Sequence, residues 1–313
     1  MIGPNSSYLA RFYQYQKERF PVLMNLIAVT VFTFSAVSYS RIARGAEGFI
    51  EWKHYIIGCF ATFTLFLLVR IFDEFKDRKE DAEFRTYLPV PRGLVKLSEL
   101  RNIGIVIGIL QIASIAFFQP SMTGLYLLVI GYLILMGFEF FVPAFLKKRQ
   151  ILYITSHMLI IPLLDVYSSG LDWAMHDASP HYGLLFFFAV SFMNGLVVEF
   201  GRKMKAPADE EEGVTSYSGM WGVKKAVVYW VLSIIVTLLL ATAAASIAGY
   251  GLTLFIILIS LAILCAIPGF IFLKNPQKKT AKLMELSSGI WTIGMYLSLG
   301  GVPMILELIP FGS

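Results

Sequence analysis

Charge is what this sequence has least of. Asp, Glu, Lys and Arg make up 15% of its 313 residues, against about a quarter in a soluble globular domain. The deficit is uneven, because long stretches carry almost no ionisable side chain and the charges crowd between them. That pattern excludes an ordinary water-soluble fold and marks membrane spans separated by loops. The runs are continuously apolar rather than alternating, which argues against a transmembrane β-barrel. Cysteine is nearly absent as well. Cys59 and Cys265 both fall inside apolar runs, so neither a disulfide framework nor a cysteine zinc site is expected, and two buried thiols are the plainer reading. Met1 to Phe20 is polar and aromatic without an early apolar stretch, so the expectation is an uncleaved first span in place of a signal peptide.

What is present is apolar and aromatic: 57% hydrophobic residues and 15% Phe, Trp and Tyr. A bilayer core needs about 20 apolar residues per helix. Nine stretches qualify, at roughly residues 22–40, 54–72, 102–118, 121–143, 151–170, 182–200, 225–248, 251–273 and 287–310. The expectation is an all-α polytopic membrane protein, one domain over 1–313, with nine transmembrane helices around a central cavity and no fused soluble domain. Lys and Arg then set the topology. With nine spans, 23 of the 26 basic residues fall on one side, leaving Arg41, Arg44 and Lys53 on the other. The positive-inside rule places the N-terminus in the cytoplasm and the C-terminus outside. The net charge of +5 is thus a topological signal and implies no nucleic-acid partner.

Two of the inside loops carry acids as well as bases. The first runs through Arg70, Asp73, Glu74, Lys76, Asp77 and Asp81 to Arg85-Thr86 and Pro89-Val90-Pro91-Arg92-Gly93. Asp73, Asp77 and Asp81 recur every four residues, which stacks them along one helix face. Stacked carboxylates repel unless cations neutralise them. Mg²⁺ suits such a place, being a hard ion held by a few carboxylates together with substrate phosphates. A solvated charged helix end would also show this composition. The run begins on the last turn of an apolar span, however, and ionisable residues at a membrane margin are functional candidates by default.

The second loop holds Asn194, Glu199, Arg202, Lys203, Lys205, Asp209, Glu210, Glu211, Glu212, Gly213 and Thr215. It follows the sixth span as the first loop follows the second, so both lie on one side of the membrane and could face each other across a cavity. Acids from both loops, with Arg and Lys between them, suit a metal-bridged diphosphate.

The first loop resembles the first aspartate-rich motif of the UbiA-family intramembrane prenyltransferases, Asn-Asp-x-x-Asp-x-x-x-Asp. Asp77 and Asp81 match directly, Asp73 stands at the family Asn, and Glu74 at its first Asp. Arg85-Thr86 and Pro89 to Gly93 are similar to the segment that follows, with Leu88 where an Arg usually precedes the proline. In the second loop, Asp209-x-x-x-Gly213 resembles the end of the family's second motif, with Lys205 in place of the aspartate four residues earlier. The resemblance implies Mg²⁺-dependent ionisation of an isoprenyl diphosphate and transfer of the prenyl group to an aromatic or lipid-like acceptor. Asp73, Asp77, Asp81 and Asp209 would hold the metal. Arg70, Lys76, Arg85, Lys147, Lys148, Arg202, Lys203 and Lys205 would bind the diphosphate.

Asn25, Glu139, His157, Asn194 and Glu199 are candidates for the acceptor or the cavity wall. Asp165 lies deeper in the fifth span, where a structural pair is the simpler reading. Because the second motif is altered, a terpene cyclase with no external acceptor is a rival of the same chemistry. A non-enzymatic lipid or ion transporter is a rival of another class. Polar residues reaching across the membrane would favour it, and the outer half here is almost free of charge. The topology has a direct test. A single Cys introduced at Thr86 should react with an impermeant thiol reagent only from the cytoplasmic side, and one at Ser313 only from outside. Labelling of both from the same side would overturn the nine-span topology.

Overall fold

The computed structural model describes residues 3–308, and every regular element among them is helical. Nine of these helices are long and apolar enough to span a bilayer: Val22–Ala43, Trp52–Lys76, Leu97–Phe118, Pro120–Gly137, Gln150–Trp173, Gly183–Arg202, Val223–Ile247, Gly251–Lys274 and Lys278–Glu307. Ser313 and the expected end of the last span at residues 309–310 lie outside the described residues.

Local chemistry accounts for the boundaries that differ from expectation. The fourth span stops at Gly137 rather than near 143, because Glu139, Phe140 and Phe141 all take positive φ. Such a run ends a helix, and Pro143 then opens the next short one. Glu139 therefore sits in the break after the span, not on it. The fifth span is two helices, Gln150–Met158 and Ile160–Trp173. Pro162 has no N–H for the Met158 carbonyl, four residues back, so the ladder breaks there. The last helix starts at Lys278, some two turns before the apolar run, because its polar first turns continue the same helix. Ahead of the first span, Tyr8–Arg19 forms a separate helix. Ser7 Oγ accepts from Ala10 N at its start, and Pro21 follows its end.

The described residues fall into two compact units, one from the stretches up to Thr30 and from Glu51 to Ile160, the other from Val31–Ile50 and from Ile161 onward. In the first unit the N-terminal helix is tied to the start of the third span. Arg11 makes a two-pronged pair with Glu99, at 2.7 and 3.1 Å, and its Nη1 also donates to the Leu94 carbonyl at 2.9 Å. Tyr15, Ile71, Leu94, Val95 and Leu100 form the buried cluster beneath. Further along, Gln111 donates to Thr64 Oγ1 at 2.8 Å and accepts from Tyr126 at 3.1 Å, joining three spans through polar side chains. Within lipid such bonds supply interhelical adhesion that apolar contact alone does not.

The second unit is packed through small residues and tryptophan. A Cβ at Gly201 would collide with Ser288, and Trp230 Nε1 donates to Ser288 Oγ at 2.9 Å. Tyr39 donates to the carbonyls of Gly183 and Ala244. Leu297–Gly301 is a π-helical turn inside the last span, where Gly300 lies flush against the Ser35 carbonyl. The fully buried Asp172 receives Ser40 at 2.8 Å, Arg41 at 2.9 Å and Arg44 at 2.7 Å. Lys53 lies 2.5 Å from Glu51. All three basic residues that break the charge asymmetry thus have a carboxylate beside them.

Asp172→Ala would strand two arginines in a dry site. Removing one member of a buried ion pair costs about 3–5 kcal/mol, so the variant should melt well below wild type in detergent. Asp172→Asn, which keeps hydrogen-bonding capacity, should fall between them. A melting temperature equal to wild type for Asp172→Ala would show the cluster to be dispensable.

Candidate active site

The first acidic loop is built by a helix that bends without losing its ladder. Asp77 N donates to Asp73 O at 2.9 Å, Asp81 N to Asp77 O at 2.9 Å, and Arg85 N to Asp81 O at 3.0 Å. The four-residue repeat read from the sequence is therefore carried by consecutive backbone bonds, although the regular helix stops at Lys76 and resumes at Arg78. Downstream, Leu94 N donates to Pro89 O at 2.9 Å, and Gly93 takes φ +75°, a conformation for which glycine is suited. That turn lowers Leu94 and Val95 into the buried cluster and so anchors the loop.

Cations are interleaved with the carboxylates. Lys76 Nζ is 3.1 Å from Asp73 and 3.9 Å from Asp77, and Arg70 is 3.9 Å from Asp73. Arg85 Nε is 3.2 Å from Asp81, and Arg19 Nη2 is 4.0 Å from its other oxygen. Lys147 reaches Glu80 at 2.6 Å on the exposed side, where Lys148 is also exposed. Asp73 and Asp77 keep 28% of their side-chain surface open. Asp81 is 1% exposed, and neither of its carboxylate oxygens has a hydrogen bond. The stack therefore fans out. Asp73 and Asp77 share Lys76, whereas Asp81 turns with Glu74 into a cavity of about 320 Å³, also lined by Arg78, Pro91, Gly93 and Lys96.

Glu74 serves a different purpose from its neighbours. It is buried, and it takes Arg19 at 2.6 Å, Arg70 at 3.3 Å and the Tyr15 hydroxyl at 3.5 Å. Position in the motif puts Glu74 among the acids, but its ion pairs make it the bolt that holds the N-terminal helix to the loop. Arg19 and Glu74 are 55 positions apart, so nothing in the local sequence links them. Burial pushes the Asp77 carboxyl above the usual carboxylate range, with Lys76 opposing and Asp73 adding to the rise. Burial likewise raises Asp81, against Arg85 and Arg19.

Among the described residues no three His, Cys, Asp or Glu side chains converge tightly enough to enclose an ion. The donor type nonetheless fits Mg²⁺. The loop offers only hard oxygens, two of the carboxylates are partly open, and the third is buried with neither oxygen hydrogen-bonded. The other first-unit candidates lie apart from the aspartates in role. Asn25 donates to the Pro21 carbonyl at 2.9 Å. His157 is buried, stacks on Tyr153 with centroids 4.1 Å apart, and has Nδ1 2.8 Å from the Tyr153 carbonyl.

In the second unit, Glu199 is buried and ringed by its own helix. Arg202 is 2.6 Å away, Lys203 2.7 Å, and the Tyr217 hydroxyl 3.4 Å. Lys205 pairs with Glu211 at 2.7 Å. Glu210 accepts from Ser216 and Ser218 and helps fold the loop back. Asp209 is half-buried and lines a cavity of about 470 Å³ with Arg202, Lys205, Lys278 and Lys282. Lys278 and Lys282 of the last helix, counted from the sequence only among the basic residues of this side, line the same cavity. Gly213 takes φ +71°, which is the physical reason a glycine closes this motif. Asn194 is buried on the sixth span.

The UbiA prenyltransferase family model matches residues 27–293. Two solved structures share the fold. One, described as the apo structure of a UbiA homologue from Aeropyrum pernix K1, superposes with a TM-score of 0.65 at 16% identity, covering 90% of this chain and 98% of its own. The other comes from work on the biosynthesis of digeranylgeranylglyceryl phosphate synthase in membranes. It superposes with a TM-score of 0.57 at 16% identity, covering 93% and 97%. No curated protein matches the chain in sequence. With nine apolar helices and a family match over most of its length, the chain is a multi-pass integral membrane protein and a member of the UbiA prenyltransferase family.

Proposed function

We propose that this protein ionises an isoprenyl diphosphate with the help of Mg²⁺ and transfers the prenyl group to a hydrophobic acceptor within the membrane. The observation that carries the reading is the backbone-linked ladder Asp73, Asp77, Asp81 at the margin of the second span, with Arg70, Lys76 and Arg85 set between the carboxylates. When bound, Mg²⁺ supplies charge neutralisation to a leaving diphosphate. Asp73, Asp77 and Asp81 would hold it, and in the second unit Asp209 is the metal-binding candidate, on the strength of its spacing to Gly213. Arg70, Lys76, Arg85, Lys147 and Lys148 on one loop, and Arg202, Lys203 and Lys205 on the other, are the proposed contacts to phosphate oxygens. Lys76 is well suited to a double duty, neutralising Asp73 and Asp77 in the free protein and turning to phosphate when a metal takes them. The apolar spans keep water from the allylic cation, which water would otherwise quench. The topology proposed with this reading puts both loops in the cytoplasm, where a water-soluble diphosphate arrives.

Purified protein given Mg²⁺ and isoprenyl diphosphates of several lengths should release pyrophosphate, and prenylated product should form once membrane extract is added. A cyclic hydrocarbon formed without acceptor would assign the cyclase reading instead. Asp77→Ala and Asp81→Ala should each lower turnover at least ~10²-fold, the scale of removing one electrostatic stabiliser, while the folded protein stays in the membrane. Because burial raises both carboxyls, protons compete with the metal at a higher pH than an ordinary aspartate, with pKa about 3.9, would allow. The Mg²⁺ concentration for half-maximal activity should therefore climb as pH falls through that raised range, and a value independent of pH there would remove these two groups from metal binding.

The second loop is tested separately. Asp209→Asn should be inactive, and Glu212→Gln should be silent. Lys205→Asp, which restores the family spacing of acids, should weaken diphosphate binding without raising activity. A gain of activity from Lys205→Asp, or a silent Asp209→Asn, would show that the loop is aligned wrongly to the family motif.

A further inference from the structure

The N-terminal helix, Tyr8–Arg19, presents two rows of side chains with different surroundings. Arg11, Tyr15 and Arg19 are four residues apart and so share one face. That face looks inward. Arg11 pairs with Glu99 of the third span and Arg19 with Glu74 of the second, and Tyr15 packs with Ile71, Leu94, Val95 and Leu100. Leu9, Tyr13 and Lys17 form a second row at the same spacing. Two residues along a helix is roughly 160° around it, so Tyr13 points away from Tyr15 and its cluster. Leu9 is 81% exposed, Tyr13 is 62% exposed, and Lys17 is exposed too.

The depth of this helix follows from what its inner face touches. Ile71 lies five residues before the end of the second span, and Leu100 three residues after the start of the third. At about 1.5 Å per residue, these contacts are roughly 4–8 Å inside the span ends. The helix is therefore held beside the ends of two spans, at the level of the membrane margin. A single exposed leucine is ordinary on a protein surface in water. An outward row of leucine and tyrosine at this depth instead meets the boundary between acyl chains and headgroups, a level at which tyrosine is enriched because its ring is apolar and its tip polar. Lys17, one turn on, can lay its stem along the same surface with its ammonium among lipid phosphates. The surface is continuous with lipid-facing chain. After Pro21 the first span opens on Val22, Leu23 and Met24, all exposed, with Leu23 at 69%.

We infer that the N-terminal helix is an interfacial anchor whose partner is the phospholipid leaflet on the side of the first acidic loop. Leu9 and Tyr13 sit at the acyl–headgroup boundary, and Lys17 contacts lipid phosphate. The same helix holds Glu74 through Arg19, so its seating in lipid braces the loop that carries Asp77 and Asp81. This role is independent of the reaction proposed above.

The test uses the full chain with Cys59→Ala and Cys265→Ala in phosphatidylcholine nanodiscs. One spin label at a time is placed on Leu9→Cys, Tyr13→Cys, Leu23→Cys or Lys79→Cys. Leu23 is the lipid control, and Lys79, exposed on the short helix Arg78–Phe84, is the water control. Labels at positions 9 and 13 should collide with dissolved oxygen and be shielded from a water-soluble nickel chelate, as at position 23. Collision with the chelate to the extent found at position 79 overturns the inference. So does shielding from both reagents, which means that a second copy or another protein covers the face. The bracing has its own readout. A variant carrying both Leu9→Glu and Tyr13→Glu should speed amide hydrogen exchange across residues 73–81 about tenfold or more, with exchange in the last span unchanged. Exchange equal to wild type overturns the bracing, and so does equal acceleration in both regions, which marks general loosening of the fold.

Discussion

A carboxylate in or beside a bilayer is expensive unless a cation or a hydrogen-bond donor stands next to it, and this requirement organises both units. Glu74 is buried only because Arg19 and Arg70 reach it. Asp172 is buried only because Ser40, Arg41 and Arg44 do, and Glu199 only because Arg202 and Lys203 follow it on the same helix. Glu74, Asp172 and Glu199 each have a cation within 3 Å and act as bolts. Asp81 has its cations at 3.2 and 4.0 Å and neither oxygen hydrogen-bonded. The acids of this protein thus differ in the closeness of their pairing and not in residue type.

The same requirement explains why the first loop tolerates three stacked aspartates. Like charges four residues apart on a helix destabilise it, but Lys76 lies within 4 Å of two of them and Arg85 lies beside the third. The cations thus hold the ladder together in the free protein, and those same side chains are the ones a diphosphate would recruit. Arginine and lysine divide the work along expected lines. Arg11 and Arg92 make two-pronged pairs with Glu99 and Glu18 that fasten the N-terminal helix, whereas Lys76, Lys147 and Lys205 each meet carboxylates through a single ammonium.

Backbone irregularities are placed as economically as charges. Positive φ at Glu139–Phe141 ends the fourth span, Pro162 splits the fifth, and the π-turn at Leu297–Gly301 interrupts the α-helical ladder of the last. None was foreseen from hydropathy, since all three lie inside stretches that read as uninterrupted apolar runs. A sliding average of hydrophobicity registers how long a segment is and how oily, and it carries no information on whether the hydrogen-bond ladder within it is continuous.

Helix number, membrane residence and the first aspartate motif were legible in the chain because each depends on local sequence. A span needs a run of apolar residues, and the ladder needs an acid at every fourth position. The spacing of Asp209 to Gly213 was legible for the same reason, and the positive φ at that glycine accounts for it. Tertiary structure alone decided which acids are spent on packing. Glu74 and Asp77 are three residues apart and chemically alike. One is locked to an arginine 55 positions away and the other stays partly open. Likewise Asp165, read from the sequence as one half of a structural pair, is held by Ser191 and Tyr296 from two other spans. Partners brought from distant helices determine how much of a charge is satisfied, and no periodicity along the chain encodes where those helices meet.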